Sequence, residues 1–582
     1  MMKIDPGTSL LATLLFFACW PLVNAAAESP AAVPRGAIVD RHVTARLDQL
    51  DVQPAALTSD TEFLRRLSLT TIGQLPTPNQ IREFVADPHV DKRGRMIDAL
   101  LQHDLHSALW ATRFCEWTGN DFETLAAGDD VKLALAQLWH RWFRERVAAN
   151  TPYDQIVRAV VTADSRNDIP LDDWIDKEIA GIQALRAGNP PSGVDRESLE
   201  LFYQRTDIQD AYPVRELAER VSSSFLGVRL NCARCHDHPF DRWSQDDYQS
   251  FVRFFDQVRH GQSPELRRAL SERLANRRKL RARGESPGPP IPRITEVYVA
   301  ERIDQSELPR PLDGARDFKV TADARASLMD WMAATDNPFF AKNLVNRAWA
   351  HYFGRGLVEP LDGLTSHLDD ATYPELLDEL AREFVVSGCD IRWLERELLN
   401  SAAWQRSSVT SKTSGGDPQN LARAEIRLPP AEVVVDMWHD ATGVERQFGD
   451  PLFRGFTAIE IGPNRLPDSP WDAFLDQFGR PERSVTCDCG QKRRPSIRQV
   501  LTLMCDPKRL ADLSSGHVAR WLSDDWDDEQ ILDEMFLQTL SRWPTAKERQ
   551  AALDMLQSGP RRQAYEDILW ALVNTTEFIT IH

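Results

Sequence analysis

The sequence predicts a mainly α protein: two helical domains joined by a Pro/Gly-rich linker, with few short strands. Three observations carry this. Helix starts recur as capping boxes, the residues behind them are apolar at three- and four-residue spacing, and strand signal is confined to Ile294 to Val299 and Phe456 to Ile461. At 582 residues the chain exceeds what one hydrophobic core usually holds, which sets the expectation of two domains.

The chain opens with Lys3, an apolar run from Ser9 through Val23 interrupted by Pro21, and then Ala25-Ala26-Ala27. That order is a secretory signal, assigned to residues 1–27. Phe16-Phe17-Ala18-Cys19 lacks the leucine that usually opens a lipoprotein box, so plain cleavage near Ala27 is preferred. No later stretch approaches the roughly 20 apolar residues of a spanning helix. The mature protein is therefore expected in the periplasm or outside the cell, with no transmembrane segment after the signal.

Within a first domain at 40–262, Ser59 with Glu62, and Thr77 with Gln80 behind Pro78, are capping boxes. Phe63, Leu64 and Leu67, then Ile81, Phe84 and Val85, supply the apolar faces. A helix carrying Leu217, Val221, Phe225 and Leu226 ends at Gly227, and Ser244 with Asp247 starts another behind which stand Tyr248, Phe251, Val252, Phe254 and Phe255. Residues 183–198 and 262–315 have linker composition, and the second, as 263–315, is the better boundary. Its basic run, Arg267 to Arg283 with Leu270 and Leu274, is expected to be a solvated helix face rather than a dock for an anionic partner.

The second domain, 316–582, contains the clearest helix, Pro338 to Phe353, stopped at Gly354. Further helices are expected at 374–387, 391–403 and 563–578, and Trp543-Pro544-Thr545 with Glu548 repeats the capping device.

The formal charge of −18 sets the chain against phosphate backbones and anionic lipid, so nucleic acid is not an expected partner. There is no P-loop, G-x-G-x-x-G, G-x-S-x-G or H-E-x-x-H. Of the eight cysteines Cys19 leaves with the signal, and the odd remainder cannot all form internal disulfides.

The segment with the most specific chemistry is Cys232-Ala233-Arg234-Cys235-His236. Two thiols three residues apart on a turn can each form a thioether to one porphyrin edge, and the next imidazole then lies beneath the iron as axial ligand. Cys232, Cys235 and His236 are thus candidates for attaching haem c, with His260, His351, Met437, His439 or an open position at the sixth site, and the aromatics behind Ser244 are expected to give the haem dry walls. Two other readings stay open. His236, His238, Cys487 and Cys489 could ligate zinc together with Cys232 and Cys235, or Cys232 and Cys235 could form a plain disulfide. Glu432, Asp436 and His439 fall on one helical face, where a solvated or capped face is expected over an acid–base set.

Phe225-Leu226-Gly227 followed by Cys232-Ala233-Arg234-Cys235-His236-Asp237-His238-Pro239-Phe240-Asp241 resembles the signature of the planctomycete-type secreted cytochrome-like family. Arg65-Arg66-Leu67, Leu75-Pro76-Thr77-Pro78 and Pro152-Tyr153-Asp154-Gln155 resemble its earlier part. Asn337-Pro338-Phe339-Phe340-Ala341-Lys342-Asn343-Leu344-Val345-Asn346-Arg347, Tyr352-Phe353-Gly354-Arg355-Gly356, Cys487-Asp488-Cys489 and Ser541-Arg542-Trp543-Pro544-Thr545 are similar to the planctomycete-secreted domain that typically follows. The resemblance implies an exported protein with a cytochrome-like motif, serving electron transfer, with a redox partner protein or a sulfatase-like exported partner in carbohydrate breakdown. Where the family reads Leu-Asp-Leu-Thr-Gly, this chain has Leu67-Ser68-Leu69-Thr70-Thr71-Ile72-Gly73, so no role is carried over for that acid. The separate N-terminal cytochrome c domain of longer relatives is also not found, so an electron partner would be another protein.

Overall fold

The capping boxes legible in the sequence each start a helix in the computed structural model. It describes residues 35–188, 196–205, 214–300, 308–312, 314, 318–409, 418–483, 496–524 and 526–582. The 1–27 signal and the pair Cys487 and Cys489 lie outside the described residues.

Ser59 and Thr77 cap the helices Asp60–Thr71 and Pro78–Ala86, and Ser244 and Thr545 cap Gln245–Val252 and Ala546–Ser558, each with the reciprocal bond from the third residue. The clearest predicted helix runs Phe340–Phe353, two residues shorter at its start because Asn337 Oδ1 accepts the N–H groups of Phe339 and Phe340, both at 2.9 Å, in a turn ahead of it. The predicted helix at 374–387 is Pro374–Val386. That at 391–403 breaks after Leu399, and Ser401 caps a new turn, Ala402–Gln405. Arg561–Val573 and Thr576–Ile579 likewise replace one helix with two.

Among the described residues two strands pair, Val258–Gly261 antiparallel to Glu296–Val299. The second is the predicted strand at 294–299. Phe456 to Ile461 is not a strand but a 3₁₀ turn, Ala458–Glu460. Its alternating pattern misleads because the turn is closed by a Thr457–Glu460 capping box and by the buried carboxylate of Asp436, neither of which periodicity registers.

Among its described residues the 263–315 segment contains regular structure. It holds the 19-residue helix Pro264–Ala282, whose Leu266 and Leu270 pack on Trp174, Ile175 and Ile294. The basic run on that helix faces water, as expected, with Arg273 paired to Asp172 and Asp176. Two larger cores fill the rest. One joins Phe63, Trp110, Phe114, Phe225 and Phe251 to Phe340, Trp349, Leu376 and Leu398, and the other joins Leu69, Leu75, Ala108 and Leu109 to residues of the last third of the chain. Both cores therefore draw on residues from either side of the linker.

Candidate functional site

The Cys232–His236 loop starts where a helix ends. Val214–Val221 continues as a π-turn, Ser222–Leu226, and stops at Gly227 with φ +65°. A Cβ at Gly227 would stand 2.9 Å from Asn343 Oδ1 and 3.3 Å from Leu361 O, so position 227 needs glycine for both conformation and room. Asn343 Nδ2 donates to Ser224 O, Arg347 Nη2 donates to Ser223 O, and Leu364 N donates to Gly227 O. Arg229 forms a forked ion pair with the fully buried Asp362, its Nε 3.1 Å from Oδ2. The segment resembling the cytochrome-like signature is thus seated on the segment resembling the secreted domain.

A 3₁₀ turn, Leu230–Ala233, buries Leu230 and Ala233 and turns Asn231 and Cys232 outward. Arg234, between the two cysteines, reaches back with Nε and Nη2 to the carboxylate of Glu219 at 3.0 and 2.9 Å, and the Tyr248 hydroxyl donates to that same buried carboxylate at 2.8 Å. Further on, Asp237 Oδ1 accepts Gln245 N–H, Asp241 Oδ2 accepts the Thr365 hydroxyl, and Arg242 lies over the Trp243 ring. The backbone of the loop is fixed from both sides.

Its reactive groups are not. Cys235 and His236 are exposed, Cys232 is half-buried, and both thiols are free. His236 Nδ1 lies 2.7 Å from Asp237 O, an acceptor only, so this nitrogen carries the proton and Nε2 keeps its lone pair. At His238 the roles are reversed. Its Nδ1 accepts Phe240 N–H at 3.2 Å, which leaves the proton on Nε2, and burial lowers its pKa. His236 is therefore left with a lone pair on Nε2, whereas His238 holds the turn. Neighbouring Phe240 is 87% exposed, a large apolar ring that the described residues leave almost uncovered.

The donor set fits a c-type haem: two accessible sulfurs at the required spacing and one imidazole with a free lone pair. The expected dry walls do not fit. Tyr248, Phe251, Val252, Phe254 and Phe255 all face the main core, Phe254 packing on Phe318 at 5.4 Å, because the helix Gln245–Val252 turns its apolar side inward. Of the local aromatics, Phe240 is the one left to meet a ligand. Among the described residues no three His, Cys, Asp or Glu side chains come together as metal ligands.

The proposed sixth ligands are committed elsewhere. His351 Nε2 pairs with Thr70 O, His260 Nε2 with Thr295 Oγ1, and Met437 and His439 are buried in the second core. The face bearing Glu432, Asp436 and His439 is neither solvated nor open: all three are at most 5% exposed. Asp436 accepts the N–H groups of Ala458 and Ile459 at 2.8 and 3.2 Å, and burial lifts its pKa to about 8. Burial drops His439 to about 3. This face is interior because the residues between its acids, Val433, Val434, Val435 and Met437, are apolar all round the helix.

Sequence reasoning passed over Glu219, Arg234, Asn343, Arg347 and Asp362. Arg234 had the one available signal, a charged residue inside the pentapeptide that follows a helix bearing an acid. The others are long-range partners.

Residues 38–260 match the family model of PSCyt2, a protein of unknown function (DUF1549), and residues 324–556 match that of PSD1, a protein of unknown function (DUF1553). These are the planctomycete cytochrome-like and secreted domains of the resemblance. No curated protein and no solved structure matches the chain. No helix of the described residues is long and apolar enough to cross a membrane.

Proposed function

From a chain that joins a PSCyt2 domain to a PSD1 domain, we propose an exported c-type haem protein serving electron transfer. Cys232 and Cys235 would hold the haem as thioethers, and His236 Nε2 would supply a nitrogen ligand to its iron. The observation that carries this reading is the contrast within five residues: a backbone clamped by Glu219, Thr365 and Asn343, presenting two free thiols and an imidazole whose Nδ1–H is already bound to Asp237 O. When bound, the group supplies one-electron redox chemistry. The chain's own part is to hold the sulfurs and the imidazole, and the Asp237 carbonyl fixes the imidazole's tautomer and orientation through its hydrogen bond.

An exposed site and an acidic chain favour a partner with a positive docking face, a redox protein or a hydrolase of the same exported system. A zinc scaffold draws less support, since His238 Nδ1 is already occupied by Phe240 N–H.

Expression in cells with the haem-attachment machinery, then a pyridine spectrum of the denatured protein and metal analysis, tests the reading. A covalent haem band is expected, shifted in Cys232→Ser and in Cys235→Ser and lost in the double variant. Colourless protein, with or without one zinc per chain, overturns it.

A further inference from the structure

We propose that a second site, far from the cysteines in sequence, binds a divalent tetrahedral oxyanion such as a sulfate or phosphate group. It is a cleft whose wall includes Arg66, Arg355, Arg423 and Arg427, opposed by a single acid, the exposed Glu425. On a chain with a net charge of −18, four guanidiniums around one cleft are a local reversal of sign.

Arg66 is 3% exposed. Its Nε donates to His582 O at 2.9 Å, and its Nη1 to Trp404 O and Arg406 O at 2.5 and 2.9 Å, which fixes the guanidinium plane. Its Nη2 is buried without an acceptor. A buried charged donor left unpaired is costly, and an anion at the cleft would offset that cost. Arg355 and Arg423, both half-buried, make no hydrogen bond or ion pair with the described residues. Arg427 Nη2 donates to His351 O at 3.1 Å.

The backbone is shaped to bring these groups together. Arg355 stands between Gly354 and Gly356. Gly354 has φ +91°, and its missing Cβ would lie 2.7 Å from Arg427 Cδ, while a Cβ on Gly356 would lie 2.5 Å from Val358 O. Glycine on both sides lets this strand of chain pass close enough to place Arg355 beside Arg427. Two motifs the haem reading leaves unused, Arg65-Arg66-Leu67 and Tyr352-Phe353-Gly354-Arg355-Gly356, thus meet in one cleft.

The inner void is about 30 Å³, two to three times the roughly 10–15 Å³ that one water needs on the same measure, so it has room for a compact head group rather than a ring. Trp349 and Phe353, stacked at 4.0 Å, form part of the apolar wall. Planar forks converging on one small void suit an oxyanion with several acceptor oxygens, and the excess of positive charge favours a dianion over a carboxylate.

Isothermal titration of the full chain with sodium sulfate, sodium phosphate and sodium acetate, against sodium chloride at matched ionic strength, tests this. Saturable binding of sulfate or phosphate, tighter than acetate and absent with chloride, is expected, and the tighter of the two identifies the preferred oxyanion. Arg355→Gln and Arg423→Gln should each weaken that binding about tenfold or more, the scale of one charge-assisted hydrogen bond, with the melting temperature in anion-free buffer unchanged. Arg66 is left intact because it holds three carbonyls. No saturable binding up to about 10 mM, acetate binding tighter than either dianion, or an affinity unmoved by both substitutions would overturn the proposal.

Discussion

Two segments of this chain are rich in the same side chains, and the fold uses them in opposite ways. In the helix Ala431–Thr442, Asp436 and His439 are interior, and their side chains hold the fold: Asp436 closes the 458–460 turn, and the His439 ring packs at a tilt against Trp471, centroids 4.6 Å apart. In the loop 232–241 the backbone is held by other residues, and the side chains of Cys232, Cys235 and His236 are left facing outward. A ligand-type residue that stabilises its own fold is spent. One that is presented by a fold stabilised elsewhere is available for chemistry.

The largest effect should come from the spent segment. Asp436→Ala leaves two buried N–H groups without an acceptor, and urea unfolding should show a loss of about 3–5 kcal/mol. A loss under about 1 kcal/mol would mean that the carboxylate is not what closes the turn. The same residue gives a signed pH dependence. With its folded pKa near 8 and its unfolded value near 3.8, Asp436 keeps a proton in the folded state that the unfolded chain releases, so its contribution to stability falls as pH rises from about 4 through 8. Histidines kept neutral by full or partial burial act the other way. His439 and His140, lowered to about 3, and His517 and His260, lowered to about 4, are protonated first in the unfolded chain, so stability falls as pH drops below 6.5. Above pH 6.5 the Asp436 slope remains, and Asp436→Asn should flatten thermal midpoints measured between pH 6.5 and 8.

The presented segment should respond less, and first through its supports. Gly227→Ala forces a side chain into a left-handed backbone position 2.9 Å from Asn343 Oδ1, a cost of about 1–3 kcal/mol. A midpoint shift of that size should be accompanied by reduced haem loading, since the loop's origin moves. Wild-type stability in this variant would show that the two regions are not locked at this point. Arg234→Ala comes next. It leaves Glu219 buried with only the Tyr248 hydroxyl among the pairings described above, for about 1–2 kcal/mol, and hydrogen exchange should rise across 230–238 with the rest of the molecule unchanged.

Much of the fold was legible because its punctuation is local. Ser59, Thr77, Ser244 and Thr545 announce their helices within four residues, and Gly354 ends one where it stands. The candidate loop was legible for the same reason, since two sulfurs and an imidazole fall in five consecutive positions. What holds the loop was not. Arg229 with Asp362, Gly227 with Asn343 and Asp241 with Thr365 pair across more than a hundred residues, and no local pattern encodes them. Direction was misjudged too. The aromatics after Ser244 have the spacing of a wall, but spacing fixes which residues share a face and leaves open whether that face meets a ligand or the core. The core took them.

The smallest structural effect and the largest functional one should coincide at the cysteines. Cys235 is exposed and Cys232 half-buried, and among the described residues neither is in a disulfide and Cys232 Sγ has one polar contact, at 3.6 Å with Asn231 Oδ1. Removing either sulfur takes nothing from a core, so Cys232→Ser and Cys235→Ser should stay within about 0.5 kcal/mol of the parent by urea unfolding when the proteins are made without haem. In haem-competent cells each should lose one thioether, visible as a shifted pyridine spectrum, and the double variant should lose the covalent band altogether. His238→Ala sharpens the point, because its ring nitrogen caps Phe240 N–H and is not free to ligate: the covalent band should survive it, whereas His236→Ala should change the axial ligation spectrum. A cysteine variant that unfolds without haem would place Cys232 and Cys235 with Asp436, among the residues that hold the fold and are unavailable for chemistry.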